Sequence, residues 1–174
     1  MAKVARRTAF QVVDYTKTPF ADNTFNKIYA IESVCYAKRK QEFIQEAYRL
    51  LKPGGKLVVL DAFRTQKILT PTDRKVYQDF LDGFVLDNLA SQKEFAKNMQ
   101  EAGFANVRYE DQSKAVGKTL IYYYIVCTLA YPFVSFFEKI GLIKNSLGHI
   151  ISARNSKYLI DNAVLTYGVF VGTK

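Results

Sequence analysis

The sequence predicts an α/β protein with a mostly parallel, doubly wound sheet. Three observations carry this. Short apolar runs alternate with stretches of helical periodicity, as expected when helices connect parallel strands. One run, "KLVVLDAF", is continuously apolar, as in a strand covered on both faces. An abrupt Lys-Pro-Gly-Gly joins the helix before it to that strand.

The elements follow in order. "AFQVVDYT" predicts a short buried strand, Ala9 to Val13, ending at Asp14. The next stretch, "KTPFADNTF", holds Pro19 and the turn pair Asp22-Asn23, and predicts a loop. A second strand, "NKIYAIES", exits at Glu32 and Ser33. In "KRKQEFIQEAYRLL" the apolar residues Phe43, Ile44, Ala47, Leu50 and Leu51 recur at helical spacing. Pro53, Gly54 and Gly55 are expected to stop that helix, since proline cannot continue one and glycine supplies the left-handed cap. "TPTDRKVYQDFLDGF" predicts a helix capped by Thr70 or Thr72. "SQKEFAKNMQEAGF" opens on a capping box, Ser91 with Glu94, and ends at Gly103. "ANVRYED" predicts a strand, and Tyr167 to Val171 the last one.

Between these final strands lies an unusual segment. Leu120 to Phe137, "LIYYYIVCTLAYPFVSFF", carries no charge. Its length meets the lower limit for a membrane span, but three consecutive tyrosines, Cys127, Thr128, Ser135 and Pro132 make it poorly lipophilic. A buried or ligand-facing helix kinked at Pro132 is the expectation. A helix lying on a membrane surface, flanked by Lys118, Lys139 and Lys144, is the intermediate case.

Composition narrows the classes. With 174 residues the chain can bury the core of a single domain, 1–174. The 13 Phe and 12 Tyr suit a greasy ligand as well as an aromatic core. A net charge of +9 suits anionic surfaces, yet no run of five basic residues occurs, which argues against nucleic acid as a partner. Cys35 and Cys127 read as buried free thiols of a reducing, cytoplasmic setting. One histidine and no cysteine pair at ligand spacing argue against a metal site.

In a doubly wound sheet the ligand lies beyond the carboxyl ends of the strands, and Asp14, Glu32 and Asp61 are predicted to fall there.

The stretch "TPFADNTFNKIYAIESVCYA…FIQEAYRLLKPGGKLVVLDAF" resembles the second half of a class I S-adenosylmethionine-dependent methyltransferase. "YAIESVCYA", "LDNLASQKEFAKNMQEAGFANVRYED" and "YGVFVGTK" are most similar to the sterol and tocopherol methyltransferase branch. The resemblance implies an incomplete Rossmann-like methyltransferase sheet with an added helical, aromatic-rich cap over 112–160. It implies S-adenosylmethionine as cofactor and a hydrophobic small molecule, sterol-, quinone- or tocopherol-like, as methyl acceptor. Carried onto this chain, Asp14 would bind the adenine amino group, Tyr15 would pack on the ring, and the backbone of Ala30 and Ile31 would face the methionine part. Glu32 and Tyr36 would be catalytic. Phe63, Phe84 and Tyr123 would face the acceptor.

Two departures stand out. No Gly-x-Gly-x-Gly occurs anywhere, so the resemblance implies a fragment, a mis-assigned start or a rearranged descendant. Tyr36 and Asn26 replace the branch's usual His and Asp. The competing expectation is a non-catalytic relative that binds a partner or a membrane surface peripherally.

Overall fold

A computed structural model of the chain describes residues 8–174. Among these the elements are four strands and five α-helices: β1 (Phe25–Ile31), α1 (Lys40–Leu50), β2 (Leu51–Arg64), α2 (Pro71–Phe84), α3 (Gln92–Glu101), β3 (Ala105–Asp111), α4 (Ser113–Lys139), α5 (Ser146–Asp161) and β4 (Leu165–Thr173). The strands form one sheet in the order β1-β2-β4-β3.

Only β1 and β2 are parallel; β4 runs antiparallel to both β2 and β3. This corrects the expected mostly parallel sheet. The helix α1 returns the chain across the sheet for one parallel pair. The helices α4 and α5 together bring it back the other way, so β4 enters between β2 and β3 in the opposite sense.

The expected strand Ala9–Val13 is absent. That stretch has no regular structure and leaves Phe10 and Val12 almost wholly exposed. A strand needs a partner for its backbone groups, and β1 pairs only with β2 among the described residues. Asp14 therefore sits in a loop, where its Oδ1 accepts hydrogen bonds from Thr16 N at 2.8 Å and Thr16 Oγ1 at 2.7 Å.

The helix α1 ends at Leu50, earlier than Pro53 and the glycines suggested. Leu51 is already extended and already paired, opposite Phe25. The next matched pair is Lys27 with Lys56, so Lys52 to Gly55 form a bulge that β1 spans with one residue. Gly54 takes a φ of +79° there, and its N–H donates to the C-terminal residue's carbonyl, Lys174 O, at 2.8 Å. The glycine serves the bulge and not the helix cap.

Along β2 the buried positions alternate: Leu57, Val59, Asp61 and Phe63 face α1 and α3, while Val58, Leu60 and Ala62 are only half-buried. The strand is thus covered fully on one face, which corrects the two-faced expectation. On β1, Tyr29 and Ile31 are exposed. The main core, with Ile44, Leu57, Val59, Phe95, Met99 and Phe170, lies between this sheet face and α1 and α3. A second core joins α2, α5 and the start of β4 through Phe80, Leu81, Leu159, Val164 and Leu165.

Helix caps match the local chemistry. Thr70 and Asp73 form a capping box at α2, and Ser91 and Glu94 form one at α3. The buried Asp73 also meets Lys67 Nζ at 3.0 Å and accepts from Tyr158 Oη at 3.1 Å, tying α5 to the start of α2. The backbone N–H of Thr70, which donates to Asp73 Oδ2 at 3.0 Å, and then Lys67 hold its carboxyl down to about 2. The same two helices cross closely at Gly83 and Gly148, where a Cβ on Gly83 would lie 2.1 Å from Gly148 O.

The helix α4 runs unbroken through Pro132. It packs along α5, and of its residues only Cys127 is buried. Of the expected buried or ligand-facing helix, full burial is corrected while one side does face the cleft: that side turns toward the protein and the other lies open. By length and composition alone α4 is the one described helix apolar enough to cross a membrane.

Candidate active site

The carboxyl ends of β1 and β2 and the start of β4 meet at one place, because β4 is antiparallel to β2 with Tyr167 opposite Ala62. Above this junction opens a cleft of about 700 Å³. Its floor carries Glu32, Asp61 and Tyr167. Its walls are apolar: Phe80 and Phe84 from α2, Tyr123 and Cys127 from α4, Ile150 and Ala153 from α5. An apolar cleft with a few convergent polar groups is the usual form of a small-molecule site.

Glu32 is placed by backbone geometry. It follows β1 with a φ of +47°, and its N–H donates to Leu60 O at 2.8 Å. This turns its carboxylate over the strand end, where Oε1 accepts from Tyr167 Oη at 2.7 Å. Burial first, and the bond to Glu32 second, raise the Tyr167 phenol well above its usual range, so it keeps its proton.

Asp61 is 3% exposed. Its Oδ2 accepts from Cys35 N at 2.9 Å and its Oδ1 from Ala62 N at 2.8 Å. Burial pushes its carboxyl up, and these N–H donors pull against that. Two donors aimed at a buried carboxylate make Asp61 an anchor for the turn after β1. Next to it, burial and the Asp61 charge push the Cys35 thiol up to about 12, so it is no nucleophile at neutral pH. Lys40 closes the same turn, its Nζ donating to the carbonyls of Ala37 at 2.7 Å, Asn88 at 2.9 Å and Cys35 at 3.0 Å.

The structure brings Glu32, Tyr36, Phe84 and Tyr123 to this one cleft. Phe63 is elsewhere, a correction: two residues beyond Asp61 on the same face, it is 2% exposed and packs edge-on against Phe95, Tyr109 and Phe170 at 5.2, 5.8 and 4.9 Å. At its level of the strand the aromatic core under α3 closes over that face. Asp14 does not line the cleft, and Ile31 is 57% exposed beside it.

Tyr15 and Ala30 line a second groove, of about 400 Å³, between the free edge of β1 and α1. The Tyr15 hydroxyl donates to Ser33 O at 3.1 Å, and its ring meets Phe43 edge-on at 5.8 Å. The groove and the cleft lie on either side of the Glu32–Tyr36 turn. A cofactor with an aromatic base and a cationic centre has partial complements here: an aromatic ring beside a β1 edge that pairs only with β2 among the described residues, and the Glu32 carboxylate beyond it. No cluster of three or more metal-ligating side chains occurs among the described residues.

Tyr167, Ala153 and His149 are wall or floor residues that sequence reasoning did not single out. Only the antiparallel register of β4 carries Tyr167 to the end of β2, and a mostly parallel expectation points it to the opposite end.

Comparison with known proteins places this arrangement. The family model described as a methyltransferase domain matches residues 1–59. A 24-methylenesterol C-methyltransferase of Arabidopsis thaliana is 31% identical over 107 residues, which is 60% of this chain and 30% of that protein. A phosphoethanolamine N-methyltransferase of the same plant is 32% identical over 111 residues, 64% of this chain and 22% of that protein. The chain thus spans less than a third of the length of these curated relatives. Among solved structures, geranyl diphosphate C-methyltransferase from Streptomyces coelicolor A3(2) superposes with a TM-score of 0.67 at 17% identity, over 94% of this chain and 51% of that one. The shared fold is the Rossmann-like methyltransferase fold. Over residues 1–59 the chain is similar to the methyltransferase domain family, and the curated proteins it resembles include both sterol C-methyltransferases and phosphoethanolamine N-methyltransferases.

Proposed function

We propose that this chain serves methyl transfer from S-adenosylmethionine to a hydrophobic small molecule of sterol, quinone or tocopherol type. One observation carries the reading: Glu32, Asp61 and Tyr167 converge at the strand ends beneath an apolar cleft of about 700 Å³. The sterol methyltransferase relatives support a lipid-like acceptor. The phosphoethanolamine relatives show that the same sequence pattern also occurs with a polar one.

Tyr15, Ala30 and Ile31 at the free β1 edge would hold the cofactor, with the Glu32 carboxylate near its positive charge. S-adenosylmethionine supplies a methyl group already activated on a sulfonium. The work left to the protein is orientation and exclusion of water. Phe84, Tyr123 and Ala153 line the acceptor's path, and the apolar walls keep the reacting end dry. For an acceptor hydroxyl, the Glu32 carboxylate is the base that takes the proton, while Tyr167 keeps its own and holds Glu32 in place. For an alkene acceptor, the faces of Tyr36 and Tyr123 and the Glu32 charge stabilise the cation formed.

The test is equilibrium dialysis of labelled S-adenosylmethionine against the folded chain, followed by label transfer into sterol, quinol and tocopherol acceptors. Binding abolished by Glu32→Gln and label recovered in the lipid fraction are the expected results. A folded chain that binds no cofactor overturns the reading.

That outcome would favour the second reading, a non-catalytic relative that binds a partner. Its specific support is Asp14, whose Oδ1 is taken up by Thr16, away from the cleft.

A further inference from the structure

The helix α4 has two apolar faces, and the cleft uses only one. Tyr122, Ile125, Leu129, Phe133, Phe136 and, just past its end, Ile140 are 63, 51, 68, 66, 59 and 55% exposed. Their spacings of three and four residues place them on one stripe, within an arc of ~80° at 3.6 residues per turn. At 1.5 Å per residue the stripe is about 27 Å long. Cys127 lies on the opposite side, and Tyr123 and Ala130 on the flank beside it, all against the cleft. Contiguous exposed apolar surface of this extent marks an interaction site.

Charge indicates what covers it. Lys118 lies on the same stripe, one turn before Tyr122, and Lys139 and Lys144 lie at the far end. None of the three has an ion pair among the described residues. The acid of that region, Glu138, is turned aside to accept from Leu147 N at 3.1 Å. The stripe is therefore apolar and aromatic along its length and cationic at both ends, on a chain of net charge +9.

A second copy of the chain fits poorly. Two such helices paired about a two-fold axis run antiparallel, with Lys118 of each near Lys139 of the other, or parallel, with Lys118 and Lys139 each near its own copy, so like charges meet either way. A membrane span fits poorly too, because the inner face of α4 is committed to α5 and the cleft. We propose that the outward stripe of α4 docks flat on an anionic lipid bilayer. The aromatic and aliphatic side chains enter the boundary between headgroups and acyl chains, and the lysines meet the anionic headgroups. This stands on the helix alone and does not require the methyl-transfer reading.

The experiment is flotation of the whole chain with vesicles of phosphatidylcholine alone and of equimolar phosphatidylcholine and phosphatidylserine. Expected are flotation with the mixed vesicles, weaker binding to phosphatidylcholine, and release by high salt. The double variant Leu129→Glu, Phe133→Glu should lose about tenfold or more in partitioning. Ile68→Glu, which changes a residue 92% exposed and off the stripe, should float like the parent. Circular dichroism and size-exclusion chromatography accompany each variant. A parent chain that does not float, or a folded stripe variant that floats like the parent, overturns the proposal. So does a dimer that Leu129→Glu disperses while vesicle binding stays absent.

Discussion

The Tyr167 hydroxyl donates to Glu32 Oε1 at 2.7 Å, joining the start of the last strand to the end of the first across 135 positions of sequence. The bond needs two unusual placements at once. Glu32 must adopt a positive φ to turn over the strand end, and β4 must run antiparallel to deliver Tyr167 there. The pair is also the most chemically capable one in the cleft: a carboxylate whose orientation is fixed by a phenol that does not give up its proton.

Tyr167→Phe keeps the ring and removes the bond. A loss of roughly 0.5–1.5 kcal/mol in urea unfolding is expected, the ordinary net worth of one hydrogen bond. The pH dependence has a definite sign. The folded phenol is raised above its unfolded value near 10, so its contribution is complete below pH ~10 and disappears as pH rises further. In the parent, ultraviolet titration should show a late tyrosine ionisation that Tyr167→Phe lacks, over and above those of Tyr77 and Tyr109, which burial also raises. If that late step survives in Tyr167→Phe, the assignment is wrong.

Glu46 controls how the loop before β1 is held. Its Oε1 accepts from Thr18 N at 2.8 Å and Thr18 Oγ1 at 2.7 Å, and Arg49 bonds both of its oxygens while also reaching Phe20 O at 2.9 Å. Arg49 chiefly, and Thr18 with it, depress the carboxyl to about 2. A depressed acid contributes stability above its unfolded value near 4.5, and that stability is lost as pH falls toward 2. Protection of the Thr18 amide from exchange, relative to its intrinsic rate, should therefore be lost over that window in the parent and be low at all pH values in Glu46→Gln. Equal exchange in the two proteins at neutral pH would remove Glu46 from this role.

Much of this was legible in the sequence, for local reasons. The capping boxes at Thr70 and Ser91, the apolar stripe of α1 and the strand at "KIYAI" depend on near neighbours, and they stand where the pattern puts them. What failed was long-range. Ala9–Val13 has the composition of a strand but no paired neighbour. The sense of β4 depends on how α4 and α5 return the chain, which no local pattern encodes. Phe63 and Asp61 share a strand face, so their different fates follow from what covers each level of the strand and not from alternation. Which sides of α4 are covered was not legible, because an uncharged run has the same composition whether protein, ligand or lipid covers it.

Two glycines in helices should respond in opposite directions to the same change. Gly83 lies where α2 crosses α5, and a Cβ there would overlap Gly148 O and Ser152 Oγ, both at 2.1 Å. Ser152 is fully buried and donates to Phe80 O at 3.0 Å, so it has nowhere to retreat. Gly83→Ala should destabilise by about 1–3 kcal/mol, the scale of core overpacking. Gly117 in α4 faces open space, with no heavy atom beyond its own stretch of helix backbone within 4 Å of where a Cβ would stand. Gly117→Ala should stabilise by roughly 0.5–1 kcal/mol through helix propensity. Thermal unfolding of the two variants side by side decides it; a neutral Gly83→Ala would mean that α2 and α5 do not cross this closely.

Ala153 separates the two halves of the proposed site. It lies on α5 among the apolar walls of the cleft, away from the β1 edge where Tyr15 and Ala30 sit. Ala153→Phe adds a ring to the cleft without altering Glu32, Tyr167 or the groove. If the cleft holds the acceptor and the β1 edge the cofactor, this variant should retain cofactor affinity within about twofold. Binding of a hydrophobic acceptor should fall by roughly tenfold or more, since a filled site forfeits the apolar burial that drives its occupancy. Parallel titrations with S-adenosylhomocysteine and with a fluorescent sterol read the two affinities separately. A variant that loses both together would place cofactor and acceptor in the same cleft. One that loses neither would move the acceptor out of it, and Phe84 and Tyr123 would then be packing residues of the helical layer.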